Sequence, residues 1–421
     1  MTAALVALNR RTFASLAYRN YRLYFAGQVV SVTGTWMQNI AMAWLILDLT
    51  HSPVAVGALA LCQFLPFTVF GLFAGVLVDR FDSRRLVIAT QAVSMLLAVA
   101  LAVPALLGDA APWLVYLLAG LRGTVLVLDA PARQALTYRM VGPRELPNAV
   151  ALNSSLFNGA RVIGPALGGA VVALAGTGFC FALNAVSFLA VLAGLLAMRP
   201  EELAPTERSR ETPKLLAGTR EALAYVRRTP RAAVVLVLVA LVSTFAFNFN
   251  VLLPVLAKQT LDAGPATFGV VTGCFGAGAL LGALVSAALG RASLRTVLVG
   301  MTGFGLAELV LAPLRSAPAA GLVLFFVGLS FTLWTSNANS TLQLEAPGHL
   351  RGRVVGLYYY AFNGAGPAGG ILSGWLAASG GTELAFATGG LVTFVAVAAA
   401  LLHTAGSRPA LRLAQVLNLK L

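Results

Sequence analysis

The chain has 421 residues, 58% hydrophobic and only 10% charged, with a mean hydropathy of +0.84. Soluble globular domains carry about 25% charged residues, so the composition excludes a soluble enzyme or binding domain and indicates a polytopic membrane protein. The formal net charge of +14 would suit a nucleic-acid binder, but no basic patch is tied to a polar domain with aromatic or base-reading residues, so no nucleic-acid partner is expected.

Residues 1–22 contain no apolar run ahead of a small-residue cleavage site and read as a tail, with the first membrane helix kept as an anchor. Twelve apolar segments of about 20 residues follow, each long enough to cross a bilayer core. They lie near 23–47, 54–78, 86–107, 113–132, 149–174, 179–198, 232–256, 267–289, 296–314, 320–341, 354–377 and 384–403. Tight turns with Gly or Pro are expected at 51–53, 108–112, 176–178 and 380–381. The longest polar stretch is 199–231. In it Leu215, Leu216, Ala222, Leu223 and Val226 oppose Arg220, Glu221 and Arg227. That pattern suits either a short helix on the membrane surface or a flexible charged linker.

With the N-terminus placed inside, all but four of the 29 Lys and Arg fall in inner loops and tails. Lys258 and Arg315 fall in outer loops; Arg122 and Arg161 lie within helices. This asymmetry puts both termini in the cytoplasm. The expected architecture is an all-α polytopic membrane protein of twelve transmembrane helices in two pseudo-symmetric six-helix bundles. Its parts are a tail 1–22, a bundle 23–198, a cytoplasmic loop 199–231, a bundle 232–403 and a tail 404–421. An internal repeat supports two halves: FNGARVIGPALGG (157–169) is echoed by FNGAGPAGG (362–370) at an offset of 205 residues, with Gly142-Pro143 and Pro347-Gly348 ahead of the two copies. Cys62, Cys180 and Cys274 sit in apolar segments without a CxxC, and His51, His349 and His403 are scattered, so no disulfide framework, metal site or cofactor is expected.

Between the second and third segments stands GVLVDRFDSRR (75–85). It resembles the loop signature G-x-L-a-D-r-x-G-r-k of the major facilitator superfamily. Gly75, Leu77, Asp79, Arg80 and Arg84 match, while Asp82 and Ser83 replace the usual Gly and Arg. The resemblance implies an inner-face latch that holds the halves together in the outward-open state. Asp79 would face a helix N-terminus, where the dipole favours an anion, and Arg80 and Arg84 would link it to Asp129. A change at Asp82 is expected to matter less than one at Asp79. The second-half loop has Gly290 where Asp79 stands, so the latch is asymmetric.

In the fourth segment, Leu118 and Arg122 resemble the start of the superfamily motif l-x-x-x-R-x-x-q-G, with Val125 and Leu126 in place of its Gln and Gly. An arginine near mid-membrane is costly and marks either function or a buried ion pair. In the fifth, ARVIGPALGG (160–169) resembles the antiporter motif g-x-x-x-G-P-x-x-G-G, with Ala160 for the first Gly. Pro165 removes a backbone donor, and Gly164, Gly168 and Gly169 admit a close neighbour. Arg161 should face the interior or the inner mouth, since lipid is costly for it.

Polar and aromatic residues recur at helical spacing in four segments: Gln28, Ser31, Thr35, Gln38 and Asn39; Thr244, Phe245, Asn248 and Phe249; Thr332, Trp334 and Asn337; Tyr358 and Asn363. They would line a shared cavity for an amphiphilic organic substrate, or bond helix to helix. Candidates for coupling are Arg122, Glu308 and Asp48. Only Glu308 lies well inside a span, and none has an obvious mid-cavity position, so the proton carrier stays open.

The resemblance covers about residues 15–403. Within it QNIAMAWLILDLTHSPVAVGALAL, DAPARQAL and NAVALNSSLFNGARVIGPALGG are similar to the enterobactin-exporter and drug-efflux branch. It implies a monomeric exporter in the inner (cytoplasmic) membrane, moving a siderophore, antibiotic or drug by alternating access with the proton gradient as driving force. An importer of a small organic solute and a transport-inactive scaffold are the alternatives. No cluster of His, Asp or Cys at one membrane face supports an enzyme.

Overall fold

A computed structural model describes residues 13–78, 80–205, 215–290, 292–348 and 350–416. Among them the regular structure is helical throughout, as lipid demands, because a helix satisfies its own backbone groups. After a 3₁₀ turn at Ala14–Ala17 come α1 (Arg19–Thr50), α2 (Pro53–Val78) and α3 (Ser83–Leu107). The next helical run, Pro112–Leu196, breaks at Gly142 (φ 69°) and Gly176 (φ 85°) into α4 (112–141), α5 (143–175) and α6 (177–196). A left-handed backbone at these single-residue reversals favours glycine.

The second half holds α7 (Leu215–Arg228), α8 (Pro230–Phe245) and α9 (Phe249–Val255), which runs into a π-helical turn at Leu256–Thr260. Then follow α10 (Pro265–Leu289), α11 (Leu294–Leu311), α12 (Ala317–Glu345) and α13 (Arg351–Asn363). The last run, Gly366–Val416, breaks at Gly380 and Gly381 into α14 (366–379) and α15 (382–416). Counting composites once, eight stretches among the described residues are long and apolar enough to cross a membrane.

The expected turns at 51–53, 108–112, 176–178 and 380–381 all separate helices. Two expected spans, 113–132 and 149–174, stop short of the helices that contain them. α4 and α5 run on to meet at Gly142, carrying Arg133, Arg139 and Arg144 on turns that hydropathy does not detect. Two other spans are interrupted: α8 from α9 at 246–248, and α13 from α14 at 364–365. Within 199–231, α7 is a helix docked on protein. Ala222 and Val226 are buried, the Tyr225 hydroxyl donates to the Glu345 carbonyl (2.7 Å), and Arg353 pairs with Glu221 (2.5 Å). The side chains of Leu215 and Leu216 lie outside the described residues.

The two halves meet at two crossings, α2 with α14 and α5 with α10. In each, the second long helix of one half meets the fifth of the other. At the α5–α10 crossing, a methyl group added to Gly269 would stand 2.9 Å from the Gly169 Cα. Only glycine at both positions lets the backbones touch. The outer coat is aliphatic: Leu174 is 88% exposed and Leu107 71%, exposure that a bilayer covers.

Candidate functional site

The cleft between the halves is shut at the end opposite the chain termini. There Asp48 of α1 pairs with Lys258 (2.5 Å), whose ammonium also lies 5.4 Å over the Trp44 ring. Trp44 stacks on Phe268 of α10 at 5.7 Å, and Gln259 donates to the His51 carbonyl (3.2 Å). Charge, ring and amide contacts thus tie α1 to the second half at this one end. Asp48, a candidate for coupling, is more than half exposed and belongs to this closure.

Deeper in the cleft stands Arg161. Its guanidinium lies 5.4 Å over Trp36, 5.4 Å over Phe331 and 5.8 Å over Phe275, so rings from α1, α12 and α10 surround it. Each such contact is worth about 0.5–2 kcal/mol. The sequence places Arg161 away from lipid, and here it is enclosed between the halves. Gly164 lies against Trp36 and Gly168 against Met37, while the buried Pro165 faces α10 through its carbonyl beside Gly269. Arg122 of α4 donates to the Asn39 side chain (2.8 Å). Thr35 on the same helix is half-buried.

The second half presents an aromatic cluster to the cleft. Phe247 stacks on Phe331 at 4.1 Å, Phe249 on Phe275 at 5.2 Å and Tyr358 on Phe362 at 6.2 Å. Trp334 stands edge-on to Phe331, fully buried. The polar residues among them bond mostly to their own helices: Thr244 to Ala240, Asn248 to Thr244, Asn363 to Tyr359. Asn337 bonds to Ser286 of α10 and Tyr358 to the Thr335 carbonyl of α12. A small cavity between the halves is lined by Phe64, Ser243, Phe247, Asn248, Phe362 and Asn363 among others. Glu308 of α11 is fully buried, and neither carboxyl oxygen has a hydrogen-bond partner among the described residues. It abuts Gly389 of α15, where an added methyl would stand 2.8 Å from Oε2 and 3.2 Å from the Phe245 carbonyl at the α8 break.

At the terminal end, Asp129 accepts from Thr90 (2.6 Å), Gln91 (2.9 Å) and Arg133 (2.5 Å), and Arg133 also bonds Gln28. Asp129 is therefore neutralised one turn along its own helix and does not meet Arg84. Arg84 instead donates to the Leu195 and Leu196 carbonyls at the end of α6. Arg80 is exposed. Gln38 is buried against Asn184 of α6 (2.5 Å), a bond between helices. Asp79 and the surroundings of Gly75 lie outside the described residues.

Residues 10–413 match the profile of the transmembrane secretion effector family. The chain belongs to that family, within the major facilitator superfamily. The transporter is 31% identical to the multidrug efflux pump Tap of Mycolicibacterium fortuitum, over 84% of its own length and 88% of that protein. It is 28% identical to the enterobactin exporter EntS of Escherichia coli, over 80% of each chain. A solved POT family transporter shares the fold at 13% identity, with a TM-score of 0.73 over 93% of this chain and 97% of that one. The protein is thus a multi-pass membrane transporter acting on a small molecule, and not an enzyme. Sequence reasoning about the transporter missed Arg133, Asn184, Phe275 and Phe331. The i,i+4 spacing of Asp129 and Arg133 was a usable signal. The two phenylalanines had none, being ordinary residues of apolar spans.

Proposed function

We propose that the transporter exports a small amphiphilic organic molecule, of the siderophore, antibiotic or drug kind, by alternating access coupled to inward proton flow. The two bundles, 23–198 and 232–403, would make twelve crossings of the cytoplasmic membrane as a monomer, with both termini inside. The observation that carries this reading is the cleft itself. It is shut at one end by Asp48–Lys258 and Trp44–Phe268, and the antiporter-type helix α5 forms the crossing with α10. Positive charge then assigns the closed end to the outside, so this is the state that loads from the cytoplasm. Glu308 is the favoured proton carrier. It is fully buried beside the α8 break, without a hydrogen-bond partner among the described residues, a place where a charge would cost far more than a neutral acid. The exporter relatives favour the outward direction.

Everted membrane vesicles test this. Energised vesicles should accumulate amphiphilic dyes from a panel of both charge signs, and a protonophore should abolish accumulation. Glu308→Gln should lose gradient-driven uptake and retain dye-for-dye exchange. Accumulation by right-side-out vesicles alone would make the protein an importer. Full gradient-driven uptake by Glu308→Gln would place the carrier elsewhere.

A further inference from the structure

We propose that Arg161 and Arg122 form a binding site for a compact oxyanion, such as a carboxylate, carried on an apolar body. The favoured substrates are then organic anions. The substrate statement rests on the transport reading above; the binding site does not.

Neither cation has a counterion among the described residues: no carboxylate there stands within ion-pair range of either guanidinium. Three ring faces hold Arg161 in place, but rings are poor acceptors for its five N–H donors. Among the described residues Arg122 has one side-chain acceptor, the Asn39 amide oxygen at 2.8 Å. Both arginines lie against the same helix, α1. Trp36, under Arg161, and Asn39, bonded to Arg122, are three residues apart on α1, so their side chains leave the same face about one turn apart.

The nearby acids are committed elsewhere. Asp129 is held by Arg133, Thr90 and Gln91, and Asp48 by Lys258. Glu308 is enclosed in the second half against α15. Two desolvated cations with no anion among the described residues make a positive site that an outside anion can fill.

Access and selectivity follow from the helix. Ser154 is exposed and Asn158 half-buried, on the face of α5 that leads from the terminal end to Arg161. The opposite face carries exposed Ile163 and Leu167 toward lipid. The rings around Arg161 come from both halves, so an occupant there touches both. They suit an apolar body better than a bare inorganic ion.

The test is equilibrium binding of 2-naphthoate and its neutral isostere 2-naphthamide to the purified full-length protein, read by energy transfer from tryptophan. Wild type should bind naphthoate at least about tenfold more tightly, and added chloride, which competes for the guanidinium groups, should narrow that gap. Arg161→Gln should abolish the preference and Arg161→Lys retain part of it, because the charge stays while the fork is lost. Arg122→Gln should reduce it by a smaller step. Equal affinities in wild type, no naphthoate binding, or a preference that survives Arg161→Gln would each overturn the proposal. If Arg161→Gln does not fold, the wild-type comparison and its chloride dependence still decide. Binding needs no gradient, so absent export with an intact preference counts against the transport reading alone. Export without the preference counts against this site alone.

Discussion

Asp82 replaces a glycine of the superfamily's loop signature, and the structure gives it two bonds. One carboxyl oxygen accepts from the Arg85 N–H (2.9 Å), which caps α3, and the other from Arg139 of α4 (2.8 Å). Burial alone would raise this carboxyl, but the Arg85 N–H and the Arg139 guanidinium outweigh it and hold it below the usual carboxylate range. The sign follows from that lowering. The stabilisation is present above the ordinary carboxylate range and is lost as pH falls through the lowered value. Asp82→Ala should cost about 0.5–2 kcal/mol through the lost cap, and Asp82→Asn less, since an amide still caps. Melting curves in detergent check this: the gap between wild type and Asp82→Ala should narrow on acidification. A gap unchanged at low pH would mean that charge contributes nothing. Signature matching ranks Asp82 below Asp79 because it treats a departure as neutral. Here the departure is itself a helix cap, and a cap is decided by the neighbours that fold up to it.

Among the elements, α5 was the most legible. Its glycines and proline, read from the repeat and the antiporter motif, sit at contacts with α1 and α10. The break between α8 and α9 was not legible, because 246–248 is Ala-Phe-Asn with no Gly or Pro. It has two local accompaniments: the Asn248 side chain bonds the Thr244 carbonyl, competing with the backbone ladder, and Phe247 turns to stack on Phe331. Only the tertiary partner, Phe331, makes that worthwhile, and no local pattern announces it. Gln28 and Gln38 show the same limit. Their spacing is right for a cavity, yet one meets Arg133 and the other Asn184. The α5–α10 crossing yields a prediction. Gly169→Val should leave α5 helical while forcing it off Pro265 and Gly269, opening the end that Asp48 and Lys258 close. Spin labels at positions 51 and 259 should report a longer distance in this variant. An unchanged distance would show that small residues are not what seats the halves there.

At the scale of the whole molecule, the described contacts close one end of the cleft. Asp79, expected to latch the opposite state, lies outside the described residues. In the proposed alternating-access cycle, opening this end would break the Asp48–Lys258 pair. Asp48 is 60% and Lys258 23% exposed, so the pair is worth about 0.2–1 kcal/mol, the range for exposed pairs. That energy corresponds to a population shift of about 1.4- to fivefold, enough to tune a transporter without unfolding it. Asp48→Asn should raise the open fraction, measured with the same labels at 51 and 259, by up to that factor. High salt should bring wild type toward the same value, since screening acts on exposed charges. Asp48→Lys should open the end further by repulsion. Adding Lys258→Asp to it should restore closure only in part, because the swap returns the ion pair but removes the cation from over Trp44. If Asp48→Asn and wild type give the same distribution at low salt, the ring stack of Trp44 on Phe268 and the crossings of α2 with α14 and α5 with α10 hold the end shut alone.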